Sequence, residues 1–182
     1  MGNAEEKTLL FDGRLAAGIP DSFQAMESGR AELMYPYVDR PQIILEDADT
    51  RRFCTFSLLK GQKLVGIQVE YVIQSITKAI VSLYPSCLLS EPQLVEKEEG
   101  ICGWYSFRTS GRERDLQNFM YIFPVDGCMM LGTMGCFMED EEGKRQLIQI
   151  IESLEVCPKA PVFAKSSHGT LYKTRNQQGG IT

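Results

Sequence analysis

The sequence predicts a single α+β domain in which an antiparallel β-sheet is covered by two helices. Three observations carry that prediction. Short apolar runs are separated repeatedly by hairpin-forming turns, which is the pattern of antiparallel strands. Two longer stretches carry apolar residues at helical spacing instead. The 182 residues, 43% hydrophobic and 24% charged, suit one globular domain with a proper core.

The elements follow in order along the chain. Leu9-Leu10-Phe11, the turn Asp12-Gly13 and Arg14 to Ile19 read as an opening hairpin. Gln42 to Leu45 and Phe53 to Leu58 flank the turn-rich Asp47-Ala48-Asp49-Thr50 and read as a second. From Val65 to Leu83, the residues Val65, Val69, Val72, Ile73, Ile76, Ile80 and Leu83 trace one helical face, and Pro85 stops the helix. Leu88 to Val95, Gly103 to Thr109, Asn118 to Phe123 and Cys128 to Met138 then form a meander. Its turns lie at Glu99-Gly100, Ser110-Gly111 and Asp126-Gly127. The acidic cluster Glu139-Asp140-Glu141-Glu142 favours the start of a second helix, whose buried stripe is Leu147, Ile148, Ile151 and Leu154.

Charge divides the chain at Pro158. Residues 158–182 carry Lys159, Lys165, Lys173 and Arg175 with no acid, a charge of +4 in a Gly-, Ser- and Gln-rich segment. Residues 1–157 carry 15 basic and 24 acidic side chains, a charge of −9, within a total of −5. The domain is therefore expected over 1–157, with 158–182 as a basic, polar, flexible extension. The polar start Met1-Gly2-Asn3-Ala4-Glu5-Glu6-Lys7 lacks the apolar stretch of a secretory signal. Glu6 occupies the position where N-myristoylation favours Ser or Thr. No segment approaches the roughly 20 apolar residues that span a bilayer. A cytoplasmic protein without membrane insertion is expected.

Composition also argues against much chemistry. The one histidine, His168, lies in the basic extension, which disfavours histidine-built metal sites and His-assisted nucleophiles. The six cysteines include no Cys-x-x-Cys pair and mostly sit in apolar runs, so they read as core thiols rather than disulfides or zinc ligands. Gly127 to Gly135 fails the phosphate-loop spacing, and its glycines read as points of close approach in a sheet. A calcium loop aligned on Gly143 would place Met138 and Gln149 at ligand positions. An acidic body with only local arginines, Arg51-Arg52 and Arg108, Arg112 and Arg114, disfavours nucleic acid. No metal, cofactor or catalytic residue is expected.

Two constellations remain as contact candidates. Tyr35-Pro36-Tyr37 with Arg40-Pro41 forms either a rigid connection or an exposed contact site. The meander carries Trp104, Tyr105, Phe107, Phe119, Tyr121 and Phe123. Strand alternation places Trp104 opposite Tyr105, Tyr105 with Phe107, and Phe119 with Tyr121 and Phe123. Tyr35, Tyr37, Arg40, Trp104 and Tyr105 are the candidate partner-binding residues.

The order of these elements resembles the PsbP/DcrB-like superfamily, whose fold is shared with a small Ran-binding nuclear-import factor. The similarity runs from about Leu9 to Val156. It rests on Gly13 and Ile19-Pro20-Asp21-Ser22-Phe23, the Trp104-Tyr105-Ser106-Phe107 and Asn118 to Phe123 strands, and the closing Ile151-Glu152-Ser153-Leu154. The resemblance implies a sheet of six or seven antiparallel strands packed between helices, an α/β/α sandwich, with no shared catalytic residues. It further implies work by binding, as an adaptor or chaperone-like domain for an unidentified protein partner, a second copy of the chain included. The competing expectation is a small-molecule binder or an enzyme using a carboxylate or cysteine in a pocket.

Overall fold

The computed structural model describes residues 7–111 and 113–157. The basic extension 158–182 with His168, and Arg112 of the arginine group, lie outside the described residues. The described elements are β1 (Thr8–Leu10), β2 (Leu15–Ala17), β3 (Gln24–Ala25), α1 (Ser28–Met34), β4 (Ile43–Asp47), β5 (Arg52–Lys63), α2 (Val69–Leu83), β6 (Gln93–Lys97), β7 (Gly100–Thr109), β8 (Leu116–Val125), β9 (Cys128–Phe137), α3 (Glu141–Ser153) and β10 (Glu155–Val156). A 3₁₀ turn, Gly66–Gln68, leads into α2.

Seven strands form one antiparallel sheet in the order β3-β4-β5-β9-β8-β7-β6. The predicted meander supplies the run β9-β8-β7-β6 from the middle of the sheet to one edge, with Trp104 paired to Tyr121, Tyr105 to Met120 and Phe119 to Met134. Asp126 and Gly127 make the β8–β9 turn with φ of 54° and 72°, the left-handed pair that tight hairpins use. The opening hairpin forms as predicted, but β1 and β2 join β10 in a separate three-stranded sheet.

Each face of the large sheet has its own core. On the first face Phe56, Phe119, Tyr121, Phe123, Met130 and Met134 meet Leu147, Ile150 and Ile151 of α3 and the inner residues of β2. Asp140 starts α3 by accepting from the Gly143 N–H at 2.8 Å, so the acidic cluster does supply a helix cap. On the second face Tyr105 and Ile122 meet Leu64 and the α2 residues Val69 and Ile73. A Cβ on Gly103 would lie 2.9 Å from Val69 and 3.1 Å from Ile73, so the absent side chain lets α2 rest directly on β7. The sheet is thus sandwiched between helices, an α+β fold.

Three elements lay beyond the sequence prediction. α1 is seven residues long and buries Ala31 alone, too little for an apolar period to register. β3 and β10 are two residues each. The strand predicted from Leu88 begins at Gln93, after Pro92, and Leu89 contributes only a single bridge to Phe107.

Candidate functional site

The connection between α1 and β4 is held at both ends and projects between them. Pro36 disfavours helical backbone at the residue before it, and α1 ends at Tyr35. Before that stop, the Arg30 Nε lies 2.7 Å from the carboxylate of Glu46, which ties α1 to β4. The Tyr35 side chain is half-buried on the second face of the sheet, its hydroxyl beside Thr133 of β9. Burial pushes its pKa up, and the neighbouring Thr133 side chain offsets part of that rise. At the far end Gln42 completes β5 beyond the reach of β4. Its side-chain amide donates to the Leu58 carbonyl and accepts from the Leu58 N–H, both at 3.2 Å.

Between these anchors the apolar side chains face outward. Leu33 is 82% exposed, Tyr37 77% and Val38 99%, with Met34 beside them. Arg40 is exposed too, its Nη1 3.9 Å from Glu32 across the turn. Single exposed apolar residues are ordinary, but three within six residues concentrate apolar surface on one anchored turn.

The other two candidates lie elsewhere. Trp104 is half-buried on the first face, its ring 5.9 Å from that of Phe119, on the floor of a groove under the N-terminal half of α3. Tyr105 faces the opposite way, beneath α2, with no exposed surface, and its hydroxyl donates to the Met120 sulfur at 2.8 Å. It is a core residue and has no surface to offer a partner. Tyr35, Tyr37 and Arg40 therefore form one locality, Trp104 a second, and Tyr105 neither.

Residues outside these candidates add to the exposed apolar surface. Leu33 and Val38 flank the tyrosines of the turn. Ile67, Tyr71 and Val81 line the outer side of the 3₁₀ turn and α2, and Leu83, Tyr84 and Leu88 follow at its end. Ile67, Tyr71 and Val81 are apolar positions off the predicted inner stripe; Val65 and Leu83 are its predicted ends, and the structure leaves both exposed, at 49% and 72%, where the helix begins and stops.

The resolved shifts of the titratable groups arise from burial, hydrogen bonds and neighbouring charges. Burial pushes the Cys54 and Cys102 thiols up to about 12 and Cys136 to about 11, which keeps them protonated. Among the described residues, every carboxylate with a resolved shift moves down. Hydrogen bonds from Arg52 lower Asp140, and those from Arg108 lower Asp115. A general acid working near neutral pH needs the opposite shift. Among the described residues no group of three His, Cys, Asp or Glu is placed to hold a metal ion, and no helix is long and apolar enough to cross a membrane.

No family model matches this sequence, and no curated protein matches it. Solved structures do match. The solution structure of cyanobacterial PsbP (CyanoP) from Synechocystis sp. PCC 6803 superimposes with a TM-score of 0.54 at 10% identity, over 86% of this chain and 95% of that one. The Saccharomyces cerevisiae Ran-binding protein Mog1p gives 0.51 at 10% identity, over 83% and 94%. A Bacteroides thetaiotaomicron VPI-5482 crystal structure gives 0.54 at 12% identity, over 84% of this chain and 48% of that one, so this chain spans about half its length. At such identities the likeness is one of fold, and this chain has the fold of PsbP and Mog1p. None of the three bears the DcrB name.

Proposed function

We propose that this chain is a protein-binding domain that acts as an adaptor or chaperone-like module without chemistry of its own. It docks its partner through the turn from Leu33 to Val38. The observation that carries this reading is the combination of anchoring and exposure. Tyr35, the Arg30–Glu46 pair and Gln42 hold the turn in place, while Leu33, Tyr37 and Val38 present apolar surface to solvent. A pre-ordered apolar tip loses little further entropy on binding, which is what a docking surface requires. Mog1p, of the same fold, is itself a Ran-binding protein. Buried protonated thiols suit a reducing compartment, and we place the domain in the cytoplasm.

The test is affinity capture from the native host with the full chain and its Val38→Asp and Tyr37→Ala variants as bait. The expected result is a reproducible protein partner whose recovery falls at least tenfold with Val38→Asp, while the urea midpoint of the bait is unchanged. Equal recovery by both variants would move the docking surface elsewhere. A metabolite co-purifying in place of any protein would favour the small-molecule reading.

A further inference from the structure

We infer that β6 is a docking edge for an extended segment of a partner polypeptide, separate from the Leu33–Val38 turn. β6 closes the large sheet. β7 pairs along one side of it, and among the described residues no strand pairs along the other. At five residues it offers more edge than β3, the two-residue strand at the opposite end. A free edge presents unpaired N–H and C=O groups, which proteins ordinarily guard with lysine, proline or bulges. Here those guards are placed elsewhere. Lys97, the strand's lysine, directs its Nζ to the carbonyls of Ile151 (3.3 Å) and Glu152 at the end of α3. Pro92 precedes the strand and does not interrupt it.

The ground beside this edge identifies the kind of partner. Gln93 and Leu94 are consecutive and so face opposite sides of the sheet. Each borders its own hollow. Gln93 lines the groove of about 450 Å³ that is floored by Trp104 and Phe119 and overhung by Ile148. Leu94 lines a second hollow, of about 340 Å³, with Gln74 and Lys78 of α2. An added β-strand alternates in the same way. Its backbone would extend the sheet while successive side chains drop into the two hollows, an apolar or aromatic one toward Trp104 and a polar one toward Gln74 and Lys78. A helix satisfies its own backbone groups and cannot use the edge at all.

The test is selection of a randomised ten-residue peptide library on the full-length chain, followed by amide hydrogen exchange with the selected synthetic peptide. The expected peptides alternate apolar and polar residues and slow exchange at least tenfold at those amides of residues 93–97 that point away from β7. Leu94→Lys, a change at an exposed position checked for an unchanged urea midpoint, weakens their binding at least tenfold, whereas Val38→Asp leaves it intact. The two variants thereby separate this inference from the turn-docking reading. Enrichment of no peptide, or protection confined to other residues, would overturn it. So would slow exchange, before any peptide is added, at those amides of 93–97 that point away from β7, because a second copy or residues 158–182 would then occupy the edge.

Discussion

The Tyr121 hydroxyl reaches from β8 over β9 to donate to the Thr55 carbonyl of β5 at 2.7 Å, wholly buried. Its path passes over Gly132, where a methyl group would run into both the Tyr121 oxygen and the Thr55 carbonyl. Gly132→Ala should therefore cost about 2–3 kcal/mol through overpacking. Tyr121→Phe should cost about 1–2 kcal/mol through the lost buried hydrogen bond. Because the two changes meet at one atom, the double variant should lose less than the sum, as urea denaturation in a double-mutant cycle will show. Among the paired charges, Arg52 binds both oxygens of Asp140, at 2.7 and 2.9 Å, in a largely buried setting. Asp140→Asn keeps a helix cap but loses the charge, so it should cost about 1.5–3 kcal/mol at pH 7. The Arg52 hydrogen bonds hold the Asp140 carboxyl below its ordinary value. Its contribution is therefore complete above the ordinary carboxylate range and is lost as pH falls through the lowered value. The gap between wild type and variant, measured by urea midpoint, should narrow below about pH 4.

At the scale of elements, α2 separates two kinds of apolar residue. Val69 and Ile73 are fully buried against the sheet, with Val72, Ile76 and Ile80 packed beside them. Ile67, Tyr71 and Val81 face away. Ile73→Ala should destabilise the chain by about 2–4 kcal/mol, since the helix cannot collapse further onto Gly103. Tyr71→Ala, three-quarters exposed, should change stability by about 0.5 kcal/mol or less. The middle of the inner stripe, Val69 to Ile80, was legible in the sequence because three- and four-residue spacing encodes it directly, whereas its predicted ends, Val65 and Leu83, are exposed. The outward residues were not marked out, since an apolar residue off the stripe reads the same whether another element covers it or solvent does. α1 escaped notice for the complementary reason: with only Ala31 buried, it has no stripe.

For the molecule as a whole, burial divides the six thiols. Cys54, Cys102 and Cys136 are enclosed, whereas Cys87, Cys128 and Cys157 are half-buried. An aromatic disulfide reagent at pH 8 should label Cys87, Cys128 and Cys157 in the native chain. The enclosed three should react only as the fold opens, with sites and rates read by mass spectrometry. The grouping of cysteines in apolar runs anticipated core thiols, and it holds for the enclosed three. It did not distinguish them from Cys128, which begins β9 at the sheet's margin near the Lys63 ammonium. The charge reading was equally local. It identified an acidic body without locating the arginines, and the structure joins Arg52 of β5 to the cap of α3, 88 residues away.

The sequence alone specifies the hairpin order, the two long helices, the α+β class and the absence of histidine from residues 7–157. Each of these is written in neighbours a few residues apart, through turn chemistry and periods of two and 3.6. It also determined that Trp104 and Tyr105 face opposite ways. Long-range packing settles which of them is enclosed, that Tyr35 is half-buried at the turn while Tyr37 is exposed, and that β6 rather than another strand ends the sheet. Those outcomes depend on how far a distant element extends. α2 covers Tyr105 completely, α3 stops short of enclosing Trp104, and no alternation within β7 records the reach of either helix.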